Sequence, residues 1–361
     1  MKKLLIVYNK VWPYREDIFN IINLHFDLTV AYSDPQFQGK QFAFKTIYTP
    51  GKWRGPFFIH DKALHPLCAG YDAVLAINEI RSLSIMRLGL IFRRKYSLTF
   101  WGIGVSASYS NKFDSEKRWD ATRFYLANRA ESVVFYSDYP VEKYVSAGLD
   151  RKKLFVANNT VRVSNKLDPS PKKDALLFVG TLYKQKGIGV LLDAYLNLKK
   201  ATGEGIPILN IIGEGPERSF IEQWIKENNM GGKIFLHGAI YDAEILMSFY
   251  EKSIACISPN QAGLSVLTTM GYATAFVTEK DAITGGEIFN IKDMQNGIIY
   301  EGGTEALTEK LIWINNNKQE VIEMGKRAKR HYDQSRKPEQ MANSLIEAVE
   351  YALKVKNNAT A

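Results

Sequence analysis

Short apolar runs rich in β-branched and aromatic residues alternate with longer amphipathic segments along most of the chain, and the alternation is played twice. In the first half, Leu4–Tyr8, Asp27–Tyr32, Ala73–Ile77, Ser97–Phe100, Ser132–Tyr136 and Leu154–Ala157 read as buried strands with helices between them. This β–α rhythm predicts a mainly parallel sheet covered by helices on both faces. The pattern breaks over Val163–Asp174, where prolines, serines and charges crowd together as in an interdomain linker. It restarts with strands over Leu176–Val179, Ile208–Ile212, Ile234–Leu236, Ile254–Ser258, Ala275–Thr278 and Ile298–Tyr300. Helices are expected near Gly189–Lys200, Arg218–Asn228, Ala243–Glu251 and Thr304–Asn315. The expected class is α/β, with one doubly wound domain over residues 1–165 and a second over 166–330.

The turn best suited to a ligand follows the first strand of the second half. Over Ala175–Leu192 an apolar run breaks at Gly180, passes Lys184 and Lys186, and resumes after Gly187 as a helix. Glycine permits close backbone approach, the first N–H groups and the dipole of the helix favour an anion, and a loop lysine adds a point charge. A plain βα turn has the same outline, so the neighbouring turns carry weight. Gly213-Glu-Gly215-Pro216 leaves a strand and opens a helix near Glu217, and Gly238 follows another strand. Pro259–Ser265 leads into Val266–Met270, with Gly263 and Ser265 offering backbone amides and a cap hydroxyl. Two such domains are expected to enclose a cleft at the carboxyl ends of their strands, where open α/β sheets bind ligands.

Charge narrows the partner without naming it. Lys and Arg outnumber Asp and Glu by 47 to 38, and the net charge of +9 points to a nucleotide sugar, a lipid phosphate, an acidic membrane or a nucleic acid. No RNA- or DNA-binding motif is present and the basic residues are spread along the chain, which argues against nucleic acid. Cys68 and Cys256 lie in different halves within apolar surroundings, as buried thiols of a reducing compartment do. His25, His60, His65 and His331 lack ligand spacing, so no metal site is expected, whereas His237 just past a strand would face a ligand. The apolar runs are too short for a signal peptide or a membrane span, and the cytoplasm is the expected compartment. Ile80–Lys95 pairs Leu83, Met86, Leu90 and Ile91 with Arg81, Arg87, Arg93, Arg94 and Lys95. That segment reads as a helix that either rests on an anionic membrane surface or is buried with charged ends. Trp12, Tyr14 and Arg15, with Lys52, Trp53 and Arg54, suit sugar stacking and pyrophosphate contact, or loop packing.

In order and spacing these segments resemble the group 4 family of glycosyltransferases over nearly the whole chain. The markers are Phe100-Trp-Gly-Ile-Gly104, Tyr136-Ser137 followed by Ala147-Gly148, and Val156-Ala-Asn-Asn-Thr160. They continue with Phe178–Gly187, Ile212-Gly-Glu-Gly-Pro216, Ile257-Ser-Pro259, Gly263–Met270 and Asn296-Gly297. The resemblance implies the GT-B architecture, two facing Rossmann-like doubly wound domains with a central cleft. Residues 1–165 would bind the acceptor and 166–330 the nucleotide sugar, with closing helices over 331–361 returning toward the first domain. It implies hexosyl transfer with retention of configuration, independent of metal and of any cofactor beyond the nucleotide-sugar donor. The acceptor would be a glycan or a polyprenyl-linked precursor in cell-surface polysaccharide biosynthesis, handled by a cytoplasmic protein peripheral on the inner face of the cell membrane. Gly180, Thr181, Lys184 and Lys186 would hold the donor phosphates, and Gly213, Gly215, His237, Gly263, Leu264, Ser265 and Thr268 would complete the donor pocket. Lys186, Asn260 and Glu287 are the expected catalytic residues.

Four positions depart from the family pattern. Thr181 stands where an arginine usually follows the first glycine, Ile103 replaces the histidine of a W-G-H-G motif, and Asn260 and Thr268 occupy the places of paired glutamates. A divergent branch carries a G-L-S turn and a glutamate just after the next loop, as Gly263-Leu-Ser265 and Gly286-Glu287 do here. Glu287 would then hold donor hydroxyls while Asn260 contacts the sugar. The alternative for Glu287 is a cap on Ile288–Ile291. The alternative for the chain is a catalytically degenerate sugar-nucleotide-binding or partner subunit, and an epimerase on the same fold is a third reading.

Overall fold

The computed structural model describes residues 1–107, 112–164 and 166–359. These form two compact units, one built from Met1–Ala107, Asp114–Thr160 and the chain from Lys337 onward, the other from Val161–Arg336 with Lys112 and Phe113.

In unit 1 the strands are β1 (Lys3–Val7), β2 (Asp27–Tyr32), β3 (Lys45–Tyr48), β4 (Gly51–Arg54), β5 (Phe57–His60), β6 (Ala73–Ile77), β7 (Ser97–Gly102), β8 (Ser132–Phe135) and β9 (Leu154–Val156). Seven of them pair in parallel in the order β3-β2-β1-β6-β7-β8-β9, and β4 with β5 makes a separate antiparallel hairpin. The helices are α1 (Pro13–Asn23), α2 (Leu64–Cys68), α3 (Leu83–Leu90), α4 (Asp120–Asn128) and α5 (Val141–Ser146). Pro13 starts α1, where its missing N–H costs nothing, and Ile18, Phe19 and Ile22 recur at helical spacing to cover β1 and β2.

The basic segment Ile80–Lys95 is not one helix. Only Leu83–Leu90 is helical, Arg93 adopts a φ of +56°, and Arg94 turns inward. Its guanidinium donates to Arg129 O at 2.9 Å and Gly89 O at 3.4 Å, and pairs with the Glu131 carboxylate at 3.0 Å. Arg94 thus satisfies the carbonyl end of α3 instead of extending a solvated basic face. Arg94→Ala is expected to cost about 3 kcal/mol, because the half-buried Glu131 carboxylate loses its counter-charge and keeps only the Leu98 N–H. Urea denaturation would show a lowered midpoint that Arg94→Ala/Glu131→Gln partly restores.

Unit 2 contains β10 (Ala175–Val179), β11 (Ile208–Ile212), β12 (Ile234–Leu236), β13 (Ser253–Ile257), β14 (Ala275–Glu279) and β15 (Gly297–Tyr300), all parallel in the order β12-β11-β10-β13-β14-β15. Helices α6 (Ile188–Thr202), α7 (Arg218–Glu227), α8 (Ala243–Glu251), α9 (Leu264–Gly271), α10 (Gly303–Asn316) and α11 (Lys318–Ser335) cover it. One face buries Leu191, Tyr195 and Leu198 with Leu307 and Leu311, and the other buries Val266, Met270 and Phe276 with Ala328 and Tyr332. The chain is therefore α/β with two Rossmann-like units.

Residues 163–164 and 166–174 are no free linker. Val163 is buried, Asp168 N–H donates to the Glu251 carboxylate at 2.7 Å, and Lys173 Nζ donates to Tyr250 O and Ser253 O at 2.8 and 3.1 Å. Polar side chains anchor this proline-containing strap to unit 2 where a sheet ladder cannot. Besides the crossing ahead of Asp114, the units part at Thr160/Val161 and Arg336/Lys337, a few residues from positions 165 and 331. In the closing segment α11 packs within unit 2, whereas α12 (Pro338–Asn358) buries Met341, Leu345, Ala348 and Val349 in the unit 1 core.

Candidate functional site

In unit 2 the chain runs outward from β10 through β11 to β12, then returns to the other side of β10 as β13. The carboxyl ends of β10 and β13 therefore flank a topological switch point, where loops diverge to opposite faces and leave room for a ligand. The turns after these strands carry Gly180–Gly187 and Ser258–Gly263.

Backbone hydrogen bonds zip the first turn to its neighbours. Gly180 N–H donates to Ile212 O at 3.0 Å, Leu182 N–H to Glu214 O at 2.9 Å and Gly213 N–H to Gly238 O at 2.8 Å. Gly213 and Gly215 are required by this contact itself: a Cβ on them would stand 1.9 Å from Gly180 O and 2.3 Å from Leu182 O. Lys184–Lys186 then form one short 3₁₀ turn that ends at Gly187 with φ +72°. A Cβ on Gly187 would lie 2.6 Å from Asn260 Cγ, so the Asn260 amide packs flat against the first loop. Tyr183 Oη donates to Gln261 Oε1 at 3.2 Å, a second tie across the switch point that spacing does not reveal.

Lys186 runs back under Gly180, its Nζ 3.2 Å from where that glycine would carry a Cβ and 5.8 Å from the Tyr183 ring. Burial lowers its ammonium to about 8, opposed by the nearby Cys256, whose own thiol burial pushes up to about 11. Among the described residues no carboxylate or carbonyl accepts a hydrogen bond from this ammonium. Thr181 and Lys184 are exposed on the same loop.

Across the switch point Gly263, not Ser265, is the residue before α9, and the space where its Cβ would stand is open. Leu264 and Ser265 form the half-buried first turn, whose N–H groups have no acceptor within the helix. The hydroxyl of Thr268 is turned back to Leu264 O at 3.2 Å. Asn260 O accepts from Ile283 N at 2.8 Å, which ties this turn to the segment carrying Glu287. Glu287 is the first residue of a short 3₁₀ helix (Glu287–Asn290) and is buried. Its carboxylate accepts from Gly285 N at 2.9 Å and from Thr284 Oγ1 at 3.4 Å, closing its own turn. His237 is held by Asn210 Oδ1 at 2.8 Å and rests against Phe249, and partial burial lowers its pKa. Lys186, Asn260 and the first turn of α9 thus meet through direct contacts or adjacent loops, while His237 and Glu287 are engaged in local structure.

In unit 1, Trp53 is exposed on the hairpin against Phe58, with the Arg81 guanidinium 5.8 Å from its ring. Arg15 is not on a surface loop: it is buried in the unit 1 core. Both cysteines are free and buried. Among the described residues no cluster of His, Cys, Asp and Glu could hold a metal ion, and no helix is long and apolar enough to cross a membrane.

Residues 162–331 match the family described as group 1 glycosyl transferases. The chain is 31 % identical over 167 residues to glycogen synthase of Thermodesulfovibrio yellowstonii, a match covering 44 % of this chain and 32 % of that protein. It is 29 % identical over 151 residues to the GtfA subunit of a UDP-N-acetylglucosamine–peptide N-acetylglucosaminyltransferase of Limosilactobacillus reuteri, covering 42 % of this chain and 27 % of that one. The chain thus spans a third or less of the length of these curated relatives. Among solved structures, HepE of Anabaena in complex with UDP superposes with a TM-score of 0.72 at 15 % identity, over 96 % of this chain and 99 % of that one.

Proposed function

With residues 162–331 in the group 1 glycosyl transferases and the whole chain in the GT-B fold, we propose that this protein transfers a sugar from a nucleotide-sugar donor to a glycan or lipid-linked acceptor. The observation that carries the reading is Lys186, a half-buried ammonium that has no acceptor among the described residues, set beneath Gly180 at the switch point next to Gly187, which packs on Asn260 four residues before α9. A diphosphate supplies the missing partner: Lys186 and the N–H groups of Leu264 and Ser265 bind its oxygens. As the bond between anomeric carbon and phosphate oxygen breaks, negative charge grows on the leaving diphosphate, and these fixed donors stabilise it. The acceptor oxygen bonds to the anomeric carbon on the departing face, retaining configuration, and its proton passes to the leaving phosphate. Neither metal nor further cofactor is needed in this scheme. Lys184 and Thr181 line the phosphates, and Asn260 contacts the sugar.

UDP is the first nucleotide to test, because UDP is bound in the similar HepE structure. Acceptors of cell-surface polysaccharide assembly are membrane-borne. Leu90 and Phe92, exposed beside Arg87, Arg93 and Lys95, suit docking to the anionic inner face of a membrane by a cytoplasmic protein. A second reading, a sugar-nucleotide-binding subunit without turnover, is favoured by the Glu287 carboxylate being taken up by Gly285 and Thr284.

Thermal unfolding against UDP, GDP, dTDP and CMP tests the proposal. A nucleotide in hundredfold excess over its dissociation constant stabilises the chain by about 2.7 kcal/mol. The expected result is a base-selective rise in Tm that Lys186→Ala abolishes, and no rise with any nucleotide overturns the donor site. A rise without release of free nucleotide from the matching sugar donor, with or without acceptor, selects the non-catalytic reading.

A further inference from the structure

Unit 1 has its own switch point, between β1 and β6, and an uncompensated charge is built into it. Arg15, in the first turn of α1, is 2 % exposed. Its guanidinium lies 4.9, 4.8 and 5.1 Å from the ring centres of Tyr14, Trp101 and Tyr136, and donates to Met341 Sδ at 3.2 Å. Among the described residues no carboxylate pairs with it, and Arg15 Nε has no acceptor.

The same strand ends hold further orphans. Asn9 follows β1, Asn78 follows β6 and Trp101 lies near the end of β7, and Asn9 Oδ1, Asn78 Nδ2 and Trp101 Nε1 are buried without a hydrogen-bond partner among the described residues. Asn78 N–H donates to Trp101 O at 2.8 Å, and the Tyr8 and Trp101 rings stack at 5.5 Å, so these groups form one patch. Tyr14, Asn9, Asn78 and Tyr136 are only half-buried and form its rim. Aromatic rings attract a cation but do not neutralise it, and a buried charge without a counter-ion is costly. Three unpaired donors, Arg15 Nε, Asn78 Nδ2 and Trp101 Nε1, gathered at one switch point are what a fold keeps when an anionic ligand completes them.

We propose that the carboxyl ends of β1, β6 and β7 bind a phosphate or pyrophosphate group, with Arg15 as its fixed counter-charge, Asn78 Nδ2 and Trp101 Nε1 as neutral donors to its oxygens, and Asn9 Oδ1 accepting from a hydroxyl beside it. Through the transferase reading, on which this assignment alone rests, that anion belongs to the acceptor, which is then a phosphorylated glycan or a lipid pyrophosphate. Anion binding itself does not depend on that reading.

The test uses the full chain carrying Lys186→Ala, so that the donor loop does not contribute. Inorganic pyrophosphate at tenfold excess over its dissociation constant is expected to raise Tm by about 3 °C, with sodium chloride at matched ionic strength giving no such rise. Adding Arg15→Met, which keeps the volume and removes the charge, is expected to abolish the rise while increasing the ligand-free Tm. Arg15→Lys is expected to keep part of it. No pyrophosphate rise with Arg15 intact overturns the proposal, and this arm decides even if Arg15→Met fails to fold. An equal rise in the Arg15→Met protein, or an equal rise with chloride, overturns it as well. Farnesyl diphosphate distinguishes the sources: a larger rise than with pyrophosphate assigns a lipid-borne anion, an equal one a soluble phosphorylated acceptor. Failure of the transferase reading is seen separately, as loss of any nucleotide effect in the chain with Lys186 intact.

Discussion

Replacing Lys186 by alanine is expected to slow sugar transfer by about 10²–10³-fold, the range found when one preorganised donor to a developing anion is removed. The effect is this large because the group is already in place. Lys186 gives up solvation to sit beneath Gly180, which is why its ammonium is lowered to about 8, and among the described residues it gains no protein acceptor in return. A diphosphate restores what burial removed, so binding to the charged form is strong and the charge needs no reorganisation during reaction. The sign of the pH dependence follows. Below about pH 8 the lysine is cationic and above it neutral, so affinity for UDP is expected to fall about tenfold from pH 7 to 9. Lys186→Arg, charged throughout, is expected to give a flat profile. Without ligand the direction reverses. The unfolded chain holds this proton up to about pH 10.5 while the folded one releases it near 8, so wild-type stability rises across that window. Lys173, also lowered to about 8 by burial, adds a rise of the same sign in both proteins, so the difference between wild type and Lys186→Arg isolates the site. Calorimetric titration of UDP at three pH values checks the first expectation, and equal pH dependence in wild type and Lys186→Arg would sink it.

Much of this arrangement was legible because parallel strands are buried on both faces and leave uninterrupted apolar runs. β2 and β11 coincide with the segments read from the sequence for that reason. β3, β4 and β5 left no such trace, since their residues are mostly half-buried or exposed and interleaved with Lys45, Lys52 and Arg54. The end of α3 was hidden because it depends on Arg94 meeting Glu131, 37 residues away, which no local pattern encodes. At the site, the glycine–lysine turn was readable because its backbone needs are local. What spacing missed is the set of contacts between loops: Gly187 against Asn260, and Tyr183 to Gln261 across 78 residues. Nor does spacing show that the backbone of the first turn fills the place where Gly213 and Gly215 would carry Cβ atoms.

That last contact makes Gly213→Ala the substitution with the largest expected effect on stability. Gly213 has a φ of +151°, which L-residues rarely adopt, and its absent Cβ would fall 1.9 Å from Gly180 O and 2.9 Å from Gly180 C. Neither neighbour is a flexible side-chain tip that could swing aside. Gly180 N–H is bonded to Ile212 O, and Gly213 N–H to Gly238 O, so relief requires the turns after β10, β11 and β12 to part together. Backbone strain and overlap combined place the cost at about 4 kcal/mol or more. Because Gly180 lies over Lys186, protein that still folds is expected to lose the nucleotide-dependent rise in Tm even though the lysine is intact. Gly205→Ala, at a glycine with open space around it and no positive φ, serves as the control and is expected to change stability by less than about 0.5 kcal/mol. Urea unfolding followed by tryptophan fluorescence, with and without UDP, measures both effects. If Gly213→Ala unfolds at the wild-type midpoint, the close packing of the two turns is wrong; if it unfolds early yet keeps its full nucleotide response, the first loop does not depend on the second for its shape.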